Sequence, residues 1–248
     1  MKKDIIYGFI TVRTSSTRLP NKCLLPLGNE SVIEHVIKRC LTYSIEPIVC
    51  TTSDSSDDVI EKISNKLNVK CFRGSSINKL KRWADCAKHY KIQDFHTVDA
   101  DDPFFDGDEM KTSMKQLREG NYDIVSPTFS SSSGGASVGY SLKSKVVLEA
   151  TKNTNDSTDT EMIESFLEEL KNLKTHNLQE SAIRPSNVRL TLDYEEDYLL
   201  LKVVVQILGK NNSRDQIDNL FVNNPDLSKI NWFRNVEWKA KQNLKINK

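Results

Sequence analysis

Two groups of charged residues in this sequence have types and spacing that could do chemistry. The first is a set of three cations, Arg13, Arg18 and Lys22, which lie among small hydroxyl residues in one short stretch. A loop of small residues lets backbone amides approach phosphate oxygens closely, and the cations add positive charge. The stretch therefore predicts a phosphate-binding loop, and the alternative is an ordinary solvated basic loop. It is not a P-loop, because no G-x-x-x-x-G-K-[ST] motif is present.

The second group consists of two aspartates, Asp101 and Asp193, which are far apart in the sequence. Each comes at or just past the end of a predicted strand, at the edge where open α/β sheets bind ligands. Two carboxylates at that edge can hold Mg²⁺, a hard ion that prefers oxygen ligands. The alternative for each aspartate is that it caps the helix that follows it. Together the two residues predict a magnesium site that faces the loop of cations.

Alternating strands and helices must position these residues. Apolar, β-branched runs predict strands at 5–10, 47–52, 69–72 and 95–98, and helical spacing of apolar residues predicts helices at 32–41, 59–67 and 80–90. This alternation predicts an α/β fold built on a doubly wound, mainly parallel sheet. Ser31 is expected to cap the first of these helices, and the tract Ser53–Asp58 is expected to cap the second.

The remainder of the chain continues this pattern with less regular spacing. Further strands are predicted at 122–126, 138–142 and 187–193, and further helices at 107–119, 145–150, 161–170 and 195–208. The stretch Ser130–Gly135 is flexible by composition, and is either a lid or acceptor loop or a plain surface connection. We expect a single domain over residues 1–248, with a core at about 5–208 and a helical extension at about 209–248.

Composition excludes several classes of partner. The chain has 248 residues, a mass of 28.3 kDa and a formal net charge of +1, so its overall charge favours neither nucleic acid nor an anionic membrane. The N-terminal apolar run is too short for a signal peptide or a membrane span. The five cysteines lack metal-binding spacing and predict reduced, mostly buried thiols. These features predict a cytoplasmic protein.

Five ordered blocks of the sequence resemble the cytidylyltransferases, a superfamily that includes the enzymes that activate the acidic sugars KDO and sialic acid. The likeness is greatest to the SpsF-like branch, which serves spore-coat polysaccharide. The blocks cover about residues 5–208. They are Arg13-x-x-Ser16-Thr17-Arg18-Leu19-Pro20-x-Lys22, Thr51-Thr52-Ser53 with Asp57-Asp58, Phe72-Arg73-Gly74-Ser75 with Arg82-Trp83, Val98-Asp99-Ala100-Asp101-Asp102-Pro103, and Arg189-Leu190-Thr191-Leu192-Asp193-Tyr194-Glu195-Glu196-Asp197.

The resemblance implies a Rossmann-like, three-layer sandwich of the nucleotide-diphospho-sugar transferase type. It also places Asp101 and Asp193 on the family's two metal-binding aspartates. With these two, Arg13, Arg18 and Lys22 are the predicted catalytic residues. The predicted nucleotide-binding residues are Thr11, Val12, Arg13, Ser16, Arg18, Lys22, Arg73 and Ser75, of which Arg73 and Ser75 would lie nearer the base or the acceptor.

The activity that the resemblance implies is transfer of CMP from CTP to an acidic sugar or a related acceptor, with release of pyrophosphate, for a surface polysaccharide or glycan. Mg²⁺ is the expected cofactor, and a homodimer is the expected assembly. One alternative keeps the chemistry but changes the substrates, as a guanylyl- or cytidylyltransferase acting on a sugar phosphate or phosphonate. Another alternative is a non-catalytic nucleotide-binding protein on the same fold. Neither nucleic acid nor a membrane is an expected partner.

Overall fold

The computed structural model of this protein describes residues 5–135, 138–235 and 237. Its strands are β1 (Tyr7–Thr11), β2 (Pro26–Leu27), β3 (Glu30–Ser31), β4 (Glu46–Thr52), β5 (Lys70–Gly74), β6 (Asp94–Asp99), β7 (Ile124–Ser126), β8 (Ser141–Lys143) and β9 (Thr175–Asn177). Its α-helices are α1 (Val32–Thr42), α2 (Asp58–Lys66), α3 (Lys79–Tyr90), α4 (Gly107–Glu119), α5 (Ser144–Ala150), α6 (Ile163–Glu168), α7 (Glu195–Leu208) and α8 (Arg214–Asn223). Short 3₁₀ turns cover Lys22–Leu24, Ser55–Asp57, Thr151–Asn153 and Pro225–Ile230.

The central sheet of the described residues has seven strands in the order β5-β4-β1-β6-β8-β7-β9. Strand β1 pairs in parallel with β4 and β6, and β4 pairs in parallel with β5. Strand β8 is reversed, because it pairs antiparallel with both β6 and β7, while β7 and β9 are parallel. The sheet is therefore mainly parallel, as predicted. In its register Thr11 lies opposite Asp99, which brings the loop after β1 next to the segment that carries Asp101.

Helices cover both faces of this sheet and form the predicted three layers. Phe9 and Ile48 belong to an apolar core that includes side chains of α3, α5 and α6. Their chain neighbours Ile10 and Val49 belong to a second core with α1, α2 and the first turns of α4. Successive side chains of a strand point to opposite faces, so a short apolar strand with no alternation serves both cores. The apolar run of β1 is thus explained by its central position.

The two predicted helix caps have different outcomes. Ser31 caps α1 in a capping box, in which its hydroxyl accepts from the Glu34 N–H at 3.4 Å and the Glu34 carboxylate accepts from the Ser31 N–H at 2.8 Å. Asp54 caps only the short 3₁₀ turn before α2. Asp57, at the N-cap position of α2, makes no side-chain capping bond. The prediction that the tract caps α2 is therefore wrong, and the Asp57 carboxylate is used elsewhere.

The predicted strand at 187–193 is also wrong. This segment is irregular, although the Leu192 N–H donates to the Asp101 carbonyl at 2.7 Å. Val188, Leu190 and Leu192 are nonetheless buried, in an apolar cluster with side chains of α7 and α8. Alternation of apolar residues here reports burial on one side of an extended segment and does not report strand pairing.

The C-terminal part of the described chain is helical, in α8 and the turn Pro225–Ile230, whereas Trp238 and the residues after it lie outside the described part. The boundaries of a single domain with an extension remain a prediction. The five cysteines are free thiols, four of them buried, as predicted. Within the part of the chain that the structure describes, no helix is both long and apolar enough to cross a membrane.

Candidate active site

The loop of cations leaves the carboxyl end of the central strand β1 and is held there by a buried carboxylate. Thr14 donates to Asp57 Oδ1 from its backbone N–H at 2.8 Å and from its hydroxyl at 2.7 Å. The Thr52 hydroxyl at the end of β4 donates to the other carboxylate oxygen. Burial would raise the pKa of Asp57, but these hydrogen bonds outweigh it and lower the pKa below its ordinary value. Asp57 therefore anchors the loop to the sheet edge.

A tight turn then directs Lys22 back into the protein. Asn21 has left-handed backbone with φ of 55°, a conformation that asparagine tolerates better than most residues. Its N–H donates to the Thr14 carbonyl at 3.2 Å, which closes the loop on itself. The Lys22 N–H donates to the Leu19 carbonyl at 3.3 Å. This geometry sends the Lys22 side chain toward the two aspartates.

Asp101 and Asp193 converge on the Lys22 ammonium. Nζ donates to Asp101 Oδ2 at 2.5 Å, to Asp193 Oδ1 at 2.9 Å and to the Leu192 carbonyl at 2.8 Å. Because the two carboxylate oxygens contact the same nitrogen at 2.5 and 2.9 Å, they are at most 5.4 Å apart. Burial would lower the pKa of Lys22, but the two carboxylates raise it well above its ordinary value. The lysine is therefore a charged ammonium that joins both aspartates.

Asp193 is the more deeply held of the two carboxylates. Its side chain is 3% exposed and accepts from Arg18 at 2.6 Å as well as from Lys22. Burial would raise the pKa of Asp193, but these two cations lower it. By contrast, the Asp101 side chain is 29% exposed. Asp193 is thus a carboxylate that its surroundings keep ionised.

Behind Asp193 a buried ion pair fixes its backbone. The Arg189 guanidinium donates to Asp197 at 2.9 Å and lies 3.4 Å from the far oxygen of Asp193. The Asp197 carboxylate in turn accepts from the backbone N–H groups of Asp193 and Tyr194, both at 2.9 Å. Asp197, in the first turn of α7, therefore binds the amides of the two residues that precede that helix. Tyr194 stands at the N-cap position of α7, so Asp193 does not hold the capping position that was its alternative.

A cleft of about 600 Å³ opens beside these residues. Most of the predicted site residues line it, namely Thr11, Val12, Arg13, Ser16, Arg18, Lys22, Asp101 and Asp193. Arg13 is exposed at its rim, and Arg18 has a buried Nε with no hydrogen-bond partner among the described residues. The cleft is large enough for a nucleotide or a similar small molecule.

Arg73 and Ser75 are not among the described residues that line the cleft. The Arg73 guanidinium pairs with Asp58 at 2.6 Å and Glu61 at 3.0 Å, on the α2 side of the sheet edge. The Ser75 hydroxyl accepts from the N–H of Asn78 at 3.0 Å, at the start of α3. Both side chains therefore have structural partners, and their contact with a base or acceptor remains a prediction.

Several residues of the cleft were not predicted from the sequence. Lys79 and Arg82 line it from the first turn of α3, with the Lys79 ammonium 3.0 Å from Asp99. Burial lowers the pKa of Arg82, which donates to the Ser75 carbonyl at 2.6 Å and has an Nε without a partner among the described residues. The indole N–H of Trp83, which also lines the cleft, donates to the Thr11 hydroxyl at 2.9 Å. Their position at the N-terminus of a helix that follows a strand is the signal that could have identified them.

The Ser/Gly stretch lies along the cleft. Ser131–Gly135 forms a π-helical turn, and Ser131, Ser132 and Ser133 are among the lining residues. The buried Ser131 hydroxyl donates to Glu109 Oε2 at 2.6 Å, which ties this turn to α4. The turn is therefore held against α4 at the border of the cleft, and its action as a lid or acceptor loop remains a prediction.

The geometry can be tested for its fit to a divalent cation. Two carboxylates within bridging reach at the edge of a parallel sheet suit Mg²⁺, which commonly takes one or two protein carboxylates and completes its ligands with water and phosphate. Among the described residues no group of three or more His, Cys, Asp or Glu could hold a metal by itself. The residues therefore fit an ion that a phosphate ligand helps to hold.

Several known proteins are similar to this chain in sequence or in fold. The chain is 23% identical over 245 residues to the spore coat polysaccharide biosynthesis protein SpsF of Bacillus subtilis, which covers 90% of this chain and 96% of that one. A cytidylyltransferase structure from Leptospira borgpetersenii superposes with a TM-score of 0.79 at 23% identity over 90% of this chain and 95% of the other. A CMP-2-keto-3-deoxy-manno-octonic acid synthetase complexed with CTP superposes with a TM-score of 0.63 at 13% identity over 82% and 99%. At these identities the two structures show a shared fold.

A sequence model decides the family. The cytidylyltransferase family model matches residues 7–205, which include the loop of cations, both converging aspartates and most of α7. This chain belongs to the cytidylyltransferase family.

Proposed function

We propose that this protein transfers CMP from CTP to an acidic sugar or a related small acceptor and releases pyrophosphate, in the synthesis of a surface polysaccharide or glycan. The observation that carries the proposal is the meeting of Arg18, Lys22, Asp101 and Asp193 at one place beside a nucleotide-sized cleft. A non-catalytic nucleotide-binding protein would need the cations but would have no need of two carboxylates at the same point.

The reaction requires that the acceptor and the nucleotide be held in position and that the negative charge on the leaving oxygens be neutralised. An acceptor oxygen attacks the α-phosphorus of the nucleotide, the acceptor hydroxyl loses its proton, and the bond to the bridging oxygen of pyrophosphate breaks. Negative charge grows on the leaving oxygens, so preorganised cations lower the barrier. Arg13 and Arg18 line the cleft, which supports the proposal that they bind triphosphate oxygens. Arg18 is additionally held in position by its 2.6 Å contact with Asp193.

Mg²⁺ is the proposed cofactor, with Asp101 and Asp193 as the residues that would hold it. When bound, the ion would supply positive charge to the phosphates of the nucleotide. The support in this chain is the separation of at most 5.4 Å between two carboxylate oxygens that both contact Lys22 Nζ, at 2.5 and 2.9 Å. Arg189 and Asp197 keep the backbone of Asp193 in place behind it.

The choice of CTP is supported by family membership and by a structural neighbour. The family whose model matches residues 7–205 is named for cytidylyl transfer. The neighbour that superposes with a TM-score of 0.63 is a CMP-sugar acid synthetase complexed with CTP. A sugar acid as acceptor is the corresponding proposal for this chain.

A second acceptor class is favoured by one observation. Asp159, Glu161 and Glu164 line the cleft. Carboxylates on the wall oppose an acceptor that carries its own carboxylate and favour one that also carries a cationic group. A cytidylyltransferase acting on an amino-bearing phosphonate or sugar phosphate is therefore the second candidate.

The test is pyrophosphate release from each of the four ribonucleoside triphosphates, measured against a panel of acidic sugars, sugar phosphates and phosphonates. We expect CTP with one acceptor class to release pyrophosphate and to give a product whose mass equals acceptor plus CMP less water. The Asp101→Asn variant, which we expect to be inactive, serves as the matched control. Turnover with another nucleotide but not with CTP would contradict the cytidylyl proposal, and release of pyrophosphate without acceptor would contradict the transfer reaction.

A further inference from the structure

The Lys22 ammonium cannot keep all of its present contacts and also bind a phosphate. Its ammonium has three N–H donors, and the structure shows three acceptors within 2.9 Å: Asp101 Oδ2, Asp193 Oδ1 and the Leu192 carbonyl. All of its donors are therefore used within the protein. A phosphate oxygen can gain Lys22 only if at least one of these contacts is given up.

The same two carboxylates are the proposed ligands of the metal. Mg²⁺ lies about 2.1 Å from its oxygen ligands, so an ion on the Asp101 and Asp193 oxygens would lie within about 5 Å of the ammonium at its present place. The Lys22 side chain is only 14% exposed, so water screens that repulsion poorly. A doubly charged ion and a lysine cation therefore oppose each other at this point.

From these contacts we infer that Lys22 and the divalent cation are alternative occupants of the place between Asp101 and Asp193. The ammonium acts as a resident counter-ion that holds the two carboxylates together. It must leave when the metal binds, and nucleotide phosphates then offer it new acceptors. Without nucleotide the metal binds weakly, because the displaced Lys22 ammonium has no phosphate acceptors to replace the carboxylates.

The inference has a thermodynamic consequence. If triphosphate stabilises the displaced lysine, then triphosphate raises the affinity for metal, and metal raises the affinity for triphosphate by the same factor. Lys22 is then a positioning residue that couples the two ligands, in addition to any contact with phosphate. This deepens the proposed function and rests on it, since it takes Asp101 and Asp193 as metal ligands.

The test measures metal affinity and not turnover. Mn²⁺ replaces Mg²⁺ as the probe, and free Mn²⁺ is counted by electron paramagnetic resonance in solutions of the full chain without nucleotide. We expect Lys22→Met to bind Mn²⁺ about tenfold or more tightly than the parent protein, because the competing cation is gone. The double variant Lys22→Met with Asp101→Asn should lose that gain.

Arg18→Met is the matched control for net charge. Arg18 also contacts Asp193, at 2.6 Å, but its side-chain hydrogen bond within the described part of the chain goes to Asp193 and not to Asp101. Its removal should tighten Mn²⁺ binding by less than about threefold. An equal gain in both single variants would show a general charge effect and overturn the inference, as would a folded Lys22→Met variant that binds Mn²⁺ no more tightly than the parent.

A measurement on the parent protein covers the case in which Lys22→Met does not fold. Addition of Mg²⁺ should produce a saturable NMR shift of the Lys22 ε-methylene group, whereas that of Lys79, paired with Asp99 at 3.0 Å, should stay in place. Absence of a Lys22 shift at saturating Mg²⁺ would overturn the inference. If no nucleotide and acceptor pair released pyrophosphate, the proposed function would fail while these metal measurements kept their meaning.

Discussion

Replacement of either converging aspartate by asparagine should remove activity, but the two variants should differ in stability. Asparagine keeps the size of the side chain and removes the negative charge. Turnover should fall on the order of 10³-fold in both Asp101→Asn and Asp193→Asn, since each removes a carboxylate from the point where nucleotide charge is neutralised. The expectation for stability comes from the different burial of the two side chains.

Asp193 is 3% exposed and lies within 3.4 Å of three cations, Arg18, Lys22 and Arg189. Breaking a fully buried ion pair costs about 3–5 kcal/mol, and a discount is needed because the Arg18 and Lys22 side chains are 25% and 14% exposed. We expect Asp193→Asn to lower the free energy of unfolding by about 2–4 kcal/mol, or the melting temperature by roughly 5–12 °C. Asp101 is 29% exposed and contacts one cation, so Asp101→Asn should cost about 1 kcal/mol or less.

The assays are pyrophosphate release at saturating nucleotide and urea unfolding followed by circular dichroism. Asp108→Asn is the matched control, because Asp108 is a 71% exposed carboxylate on α4, and its removal should leave both activity and stability near those of the parent. Retention of a tenth or more of the activity in Asp101→Asn would refute the role of the carboxylate pair. An equal loss of stability in both variants would refute the reasoning from burial.

Four further predictions can be tested. Lys22→Ala should reduce nucleotide binding or turnover on the order of 10²-fold, which calorimetry and kinetics would check. Asp57→Ala leaves the Thr14 and Thr52 donors without their buried acceptor, so the free energy of unfolding should fall by about 2–4 kcal/mol. The nucleotide KM should also rise, and an unchanged KM would show that the anchored loop does not help to bind nucleotide. Burial lowers the pKa of His35 to about 4 and of His96 to about 3. As the pH falls below about 6.5, both imidazoles therefore become protonated in the unfolded chain before they do so in the folded protein. Each histidine should then remove roughly 2–3 kcal/mol of stability by about pH 4.5 in urea titrations, and a His35→Gln variant should show a shallower fall. The chain should be a homodimer, and light scattering that gave the single-chain mass of 28.3 kDa at micromolar concentration would contradict this.

Sequence periodicity was sufficient for most helices and for the parallel half of the sheet. The predicted helix at 107–119 and the predicted helix at 195–208 begin and end where α4 and α7 do. Helical spacing and capping residues act within a few positions of the chain, so they can be recognised without knowledge of the fold. Ser31 shows this, since its partner Glu34 is three residues away.

The segment 187–193 shows the limit of that reasoning. Its alternating apolar residues met the rule for a strand, but they are buried against α7 and α8 and the segment joins no sheet. Alternation records which side of an extended chain is buried, and several tertiary arrangements satisfy it. The reversed strand β8 between β6 and β7 was likewise not predictable, because strand order depends on contacts between distant parts of the chain.

Residue types, their order along the chain and their places after strands are local features, and they were enough to predict that Arg13, Arg18, Lys22, Asp101 and Asp193 lie near one another. They did not reveal Lys79 or Arg82, which also line the cleft. Only the tertiary structure decided how the predicted residues are used. It placed the Lys22 ammonium between Asp101 and Asp193, which lie 79 and 171 residues further along the chain. In the folded protein the Asp57 carboxylate binds the loop at Thr14 and does not cap a helix. The ion pair of Arg189 and Asp197 likewise lies behind Asp193. Such pairings follow from burial, because a carboxylate withdrawn from water needs a donor or a cation beside it, and the fold alone decides which one is near.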